Sequence, residues 1–275
     1  MDTMALTGPI TFVTAVNNRE IFENNFSISP CFRRPHDHQI IVQENANSAA
    51  KAYNDAIDRS VNDLIIFAHQ DIVFPPAWLG DLRRALDFLK TADPGWGVLG
   101  CFGITADEQP RGHIYSGGLG VIGAPLVRPT PVQTLDEIVL VIRKSSGLRF
   151  DERLPHFHFY GADLCMQAAA KGMNNYAIPA FCIHNAQFNL VLPSEFYQCY
   201  RYMRRKWRGA LPINTTCVTV SRFNGSVYKR RFWEICLRNL GRTKIGDTRL
   251  KDPRQLLSQF ESASSIPSPE FDRHA

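Results

Sequence analysis

The 275-residue sequence contains no C-x-x-C pair. Its seven cysteines (31, 101, 165, 182, 199, 217 and 236) are odd in number and scattered. That argues against a disulfide framework and a zinc knuckle, and for a reducing compartment. No window approaches the roughly 20 apolar residues that a membrane span needs. The opening MDTMALTGPITFV has neither a basic n-region nor a long apolar core, so no secretory signal is expected and the cytoplasm is the expected location. No G-x-G-x-x-G follows the first strand-like run, and no G-x-x-x-x-G-K-[ST] occurs anywhere. Both absences speak against a dinucleotide fingerprint and a P-loop, so a phosphate bound here would need a metal in place of a glycine-rich cradle. Internal repeats are also lacking.

What is present is ordinary in bulk and uneven in detail. Apolar residues make up 44% and charged residues 21%, normal for a globular chain long enough for one large domain or two small ones. The first 90 residues alternate strand and helix. Strands are expected at 10–16 (ITFVTAV), 39–42 (QIIV) and 64–68 (LIIFA), with helices from Glu20, over 49–60 behind an Asn47-Ser48 cap, and over 78–90. This is the pattern of a parallel α/β sheet with crossover helices. Polar residues cluster just after each strand, so one sheet edge should carry Asn17, Arg19, Glu44, Asn45, His69 and Asp71. From 96 to 131 the chain turns Gly- and Pro-rich, as a substrate-facing loop region would, and 135–142 reads as a further strand with two acids at its entry.

The stretch 63–79, DLIIFAHQDIVFPPAWL, organises the rest. A continuous apolar run reads as a strand buried on both faces, and it ends abruptly in His69-Gln70-Asp71. Open α/β sheets hold their ligands at that end of a central strand. A carboxylate and an imidazole there are donors that suit Mg²⁺ or Mn²⁺, which in turn hold phosphate oxygens. Asp71 lies seven residues before Trp78 with Pro75-Pro76 between, so it is badly placed to cap the next helix instead. A second stretch, 150–184, places Asp163 near the start of a helix that Gly172 ends, where the helix dipole stabilises an acid whether or not it does chemistry. An edge-like strand over 176–183 then delivers His184-Asn185 to a polar end.

Charge divides the chain. Residues 199–256 hold 15 Lys and Arg against three acids, and the remainder holds 16 against 23. The basic part interleaves Tyr200, Tyr202, Trp207, Phe223, Tyr228, Phe232 and Trp233. Such a patch suits nucleic acid, an anionic membrane surface or a phosphorylated ligand, or is a solvated helix face with its aromatics on the core. Helices are expected over 194–207 and near 229–240, with 212–220 a strand or an extended segment; the Ser/Pro-rich 258–275 is expected to be disordered.

Taken in this order, the residues resemble a glycosyltransferase of the GT-A type, close to the family-2-like group. TFVTAVNN resembles the family's first strand and nucleotide-contacting loop. The stretch from Glu44 to Ile57 resembles its N-x-G-x-x-x-A-x-N-x-x-I helix, and DLIIFAHQDIVFPPAWL follows Y-I-L-F-L-D-x-D-V-x-L-P-P-x-W-L almost position by position. FYGADLCMQAAAKG resembles E-D-x-D-L-x-x-R-x-x-x-G, with His184 where the family often has a metal-binding histidine. The resemblance covers roughly 10–190.

It implies a mixed, mainly parallel α/β sheet flanked by helices. Residues 1–193 would form the catalytic domain, and 194–257 a basic helical extension packed on it. It further implies Mn²⁺ or Mg²⁺ on Asp71 and His184. Thr14, Ala15, Asn17, Arg19, Glu44, Asn45, Asn54, His69 and Gln70 would contact a UDP- or GDP-linked sugar. The acceptor would be a glycan or a lipid-linked hydroxyl, with inversion at the sugar. Three departures stand out. His69 replaces the first acid of the D-x-D triplet, Gln167 replaces the arginine, and the usual base position falls at Gly161, which leaves Asp163 as the expected base. A nucleotidyltransferase, or a non-catalytic nucleotide- or carbohydrate-binding protein on the same scaffold, is the rival reading. No nucleic acid partner is expected, whereas peripheral membrane contact through 199–256 fits the charge.

Overall fold

The computed structural model describes residues 8–33, 36–223, 225–243 and 246–261. β1 (Thr11–Val16) leads through α1 (Arg19–Asn24) to β2 (Gln39–Glu44), and α2 (Ala49–Arg59) leads to β3 (Leu64–Ala68). Asn18 caps α1 by accepting from Ile21 N, and Ser48 caps α2 by accepting from Lys51 N. β2 and β3 pair in parallel on either side of β1, so the polar ends of all three strands open on one edge, as the alternation predicts.

Past this point the chain changes style. β4 (Ile72–Val73) and α3 (Trp78–Ala92) precede a run of short strands: β5 (Leu99–Gly100), β6 (Phe102–Ile104), β7 (Pro110–Ser116), β8 (Gly120–Ala124), β9 (Thr130–Val132), β10 (Thr134–Leu135) and β11 (Val139–Arg143). Then come α4 (Tyr160–Ala170), β12 (Asn175–Ala177), β13 (Ile183–His184) and α5 (Ser194–Lys206). β14 (Ile213–Asn214), β15 (Thr219–Val220), α6 (Gly225–Asn239) and α7 (Arg254–Glu261) complete the described chain. The main sheet runs β2-β1-β3-β11-β5-β12-β9, and a second runs β10-β6-β7-β13-β4 with β8 on β7.

The fold is therefore mixed α/β, with a larger antiparallel share than the opening alternation suggests. β11 is antiparallel to both β3 and β5, and β12 is antiparallel to β9. Short loops account for the antiparallel β6–β7 and β7–β8 hairpins of the second sheet. Two expected strands are divided. The 135–142 run splits between β10 and β11, and the 176–183 run becomes β12, inside the main sheet, and β13, in the second, with Pro179 between.

Each face of the main sheet is covered. Tyr53 of α2, Phe67, Phe150 and Tyr160 of α4 pack on one side; Phe12, Phe74 and Trp78 of α3 pack on the other. α5 buries Phe196, Tyr197, Tyr200 and Met203 in the first of these cores. α7 extends to Glu261, inside the stretch expected as a disordered tail; 262–275 lie outside the described residues. No described helix is long and apolar enough to cross a membrane.

Candidate active site and metal centre

β3 is buried from Ile65 to Ala68 and surfaces at His69. The chain turns through Gln70 and Asp71 into β4, which pairs antiparallel with β13 so that His184 lies opposite Ile72. That register returns an imidazole to the turn: His184 Nε2 is 3.3 Å from Asp71 Oδ1, and the His69 and His184 rings are 5.5 Å apart. One donor atom from each of His69, Asp71 and His184 lies within 4.8 Å of the others. Two imidazoles and a carboxylate fit a divalent first-row ion such as Mn²⁺ better than Mg²⁺, which prefers oxygen alone. His69, whose imidazole suits a metal at the strand end but which the resemblance implies as a sugar-nucleotide contact, lies with the two expected ligands. Its Nε2 lies 2.8 Å from the Tyr160 hydroxyl, a contact that fixes the ring.

The charges are tuned around Asp71. Burial raises the Asp71 pKa, but the neighbouring His184 charge and hydrogen bond, with His69 and Arg249, outweigh it and hold the carboxyl well below its usual range. Burial lowers the His184 pKa, yet Asp71 more than offsets this and the net shift is up. His69 is shifted down, by burial first and by the His184 charge second. A carboxylate kept ionised beside a neutral imidazole is a ready pair of ligands.

A cavity of about 240 Å³ opens beside this cluster, lined by Ala15, Val16, Asn17, Ala46, Tyr53, His69, Gln70, Asp71 and Phe157. Five of the expected site residues, Ala15, Asn17, His69, Gln70 and Asp71, line it together. Gln70 also braces the β1 turn, since its Oε1 accepts from Asn17 N and Asn18 N, both at 3.1 Å. Arg19 and Glu44 pair with each other at 2.9 Å on the exposed surface, and exposed Asn45 makes the left-handed turn after β2 at φ 52°. Neither they nor Asn45 line the cavity. Thr14 is fully buried in the sheet. Asn54 faces inward, donating to Phe150 O and accepting from Phe150 N, so it braces the loop before α4 instead of reaching the cleft. Tyr53 and Phe157 were not expected there. Phe157 lies between His156 and Phe159, at φ 60° and 64°, conformations that bulky side chains rarely adopt and that cluster at functional sites.

Asp163 is also placed differently from its expected role. It is 1% exposed and fully engaged: Lys206 Nζ donates to it at 2.8 Å, Trp207 Nε1 at 2.7 Å and Gln167 Nε2 at 2.8 Å. It ties α5 to α4. The carboxylate at the start of α4 belongs to Glu137, whose Oε1 accepts from Gly161 N at 3.1 Å. A Cβ at Gly161 would lie 3.0 Å from Glu137 Cγ, so the glutamate occupies the room that a side chain at 161 would take. Burial pushes the Glu137 carboxyl well above its ordinary value, partly offset by the Gly161 hydrogen bond. Tyr160 connects this group to the cluster, with its hydroxyl near His69 and donating to Glu137 O at 3.2 Å.

The far C-terminal segment supplies a further charge. Arg249 Nη2 is 3.5 Å from Asp71 Oδ2, and its Nε donates to Asn185 O at 3.0 Å. Asn185 holds the strap by accepting from Leu250 N, and Gln187 accepts from Thr248 N. No local pattern in the sequence marks this arginine.

The model of a family described as "Glycosyltransferase like family" matches residues 11–201, more than half the chain. The chain belongs to that family. Membership bears out the GT-A, family-2-like assignment and the α/β fold. A curated relative, "ATP synthase subunits region ORF 6" of Fuscovulum blasticum, is 31% identical over 163 residues, which cover 56% of this chain and 64% of that protein. Solved structures of similar shape include a mannosyltransferase from Pyrobaculum calidifontis in complex with GDP-Man and Mn²⁺. It has 10% identity and a TM-score of 0.48, with 96% of this chain and 82% of that one covered. S. aureus TarS 1–349 has 13% identity and a TM-score of 0.42, covering 72% and 65%.

Proposed function

We propose that this glycosyltransferase moves a sugar from a nucleoside-diphosphate donor to an acceptor hydroxyl by a single, inverting displacement. The observation that carries the reading is the His69–Asp71–His184 cluster beside a cleft at the ends of β1 and β3. A divalent ion held there, Mn²⁺ for preference, supplies positive charge to the departing diphosphate. Arg249 adds a second positive group on the other oxygen of Asp71. Asn17, Tyr53 and Phe157 wall the space for the nucleoside. Glu137 is the better candidate than Asp163 to accept the acceptor's proton. Burial raises its pKa and backbone N–H groups are what hold it, whereas Asp163 is held by Lys206 and Trp207. A glycan or lipid-linked acceptor, and a cytoplasmic site with peripheral membrane contact, complete the proposal.

The test is a thermal-shift panel of UDP, GDP and their sugar conjugates, with and without Mn²⁺. A nucleotide at about 100 times its Kd stabilises a folded protein by about 2.7 kcal/mol. One of these nucleotides should do so only with metal, and Asp71→Ala should abolish the shift while leaving the unliganded protein folded. A shift that ignores metal, or none with any nucleotide, overturns the reading. Metal-dependent binding without turnover favours the non-catalytic scaffold.

A further inference from the structure

Away from the cleft, Arg201, Arg204, Arg205, Arg208 and Arg222 line one open cavity of about 500 Å³. The first four recur at i, i+3, i+4 and i+7, so α5 and the turn after it turn a single basic face outward while Phe196, Tyr200 and Met203 are buried on the other. Among the described residues none of the five forms an ion pair. Lys206 of the same helix does, with Asp151 at 2.8 Å and with Asp163. Unpaired like charges at these spacings work against the helix, and a polyanion seated among them removes that cost. Guanidinium groups hold phosphate oxygens in bidentate fashion, which makes a phosphate the fitting occupant.

A second, independent feature adjoins the cavity. Arg201 also lines a small crevice with Tyr228 and Arg231 of α6. α6 and Phe223, just upstream of it, leave large apolar side chains in solvent: Phe223 is 87% exposed, Phe232 67% and Trp233 60%. Lys229, Arg230 and Arg231 run directly into Phe232 and Trp233, with Arg230 paired to Glu234. Exposed aromatic rings flanked by basic side chains characterise helices that lie in the headgroup layer of a membrane.

We propose that this face docks on an anionic phospholipid bilayer, with a lipid phosphate in the five-arginine cavity and Phe223, Phe232 and Trp233 among the headgroups. It sharpens the peripheral contact named above and stands whether or not the cleft transfers sugar. Each basic residue held at an anionic surface multiplies binding about fivefold at moderate salt, and the gain fades as salt rises.

The experiment sediments the full-length chain with vesicles of phosphatidylcholine alone or with added phosphatidylglycerol, at low and high salt. Binding should require the anionic lipid and fall with salt. Arg204→Gln/Arg205→Gln should lose about 25-fold, two such steps. Phe232→Ala/Trp233→Ala should also lose binding, with both variants melting with the wild type and keeping the metal-dependent nucleotide shift. Inorganic pyrophosphate, followed by thermal shift, identifies the other source of the same chemistry. Stabilisation by pyrophosphate without vesicle binding overturns the proposal in favour of a soluble polyphosphate. Equal binding to neutral and anionic vesicles, vesicle binding unchanged in both variants, or a preference for RNA over vesicles overturns it as well.

Discussion

At the scale of single residues, the two carboxylates near the start of α4 differ in what holds them. Asp163 is an anchor with three side-chain donors on it, and Glu137 is a half-buried carboxylate held by backbone N–H groups of Tyr160 and Gly161, with a raised pKa. Replacing each by its amide separates the two functions. Glu137→Gln keeps the shape and a group that can still accept from Gly161 N, so its melting temperature should stay close to wild type. Turnover should fall about 10²–10⁴-fold, the usual contribution of general-base help. Asp163→Asn should do the reverse. It turns an amide N–H toward the donors of Gln167, Lys206 and Trp207, at about 1–3 kcal/mol of stability, while nucleotide binding is retained. Stopped-assay turnover and a urea midpoint on each variant decide the matter. If Asp163→Asn loses turnover without losing stability, and Glu137→Gln loses neither, the base is Asp163 after all.

At the scale of elements, legibility followed distance along the chain. His69, Gln70 and Asp71 were readable because one strand and one turn carry all three, and the strand's apolar run says where it ends. His184 was readable for the same reason. Its partnership with His69 was not, because it depends on the β4–β13 register. The Glu137–Gly161 contact spans 24 residues and Asp163–Lys206 spans 43, and no periodicity reports such pairings. Asn54 shows the opposite case: the family resemblance implies a ligand contact, and α2 turns it inward to Phe150 across 96 residues. Its amide brackets Phe150 through the main chain and donates to Glu152, at the start of the loop leading to Phe157 and Phe159. Asn54→Ala leaves a buried N–H and C=O short of partners, which should cost about 1–3 kcal/mol. A urea titration should show that loss, and the metal-dependent nucleotide shift should survive at saturating ligand. Loss of the shift in a folded variant would return Asn54 to the binding site.

Across the whole molecule, the chain from α5 onward packs on the rest through the buried face of α5 and is pinned by charge at Lys206 with Asp151 and Asp163 and at Arg249 with Asp71. Acid should loosen that attachment, and Asp151 gives the sign. Burial raises its pKa, but hydrogen bonds from Arg153, Lys206 and Tyr202 outweigh this, and the net shift is well below the ordinary carboxylate value. Folding therefore favours the ionised form. The stability this contributes is complete above the unfolded pKa of about 3.9 and is lost as pH falls through the lower folded value. Asp163 works the other way, because burial leads and raises its pKa, so protonation there costs the fold little. Asp151→Asn should consequently be less stable than wild type at neutral pH, with the gap closing as pH drops below about 4. Thermal melts of the two proteins across that range measure it. A gap that stays constant with pH would show that Asp151 holds Tyr202 and Lys206 by shape rather than by charge.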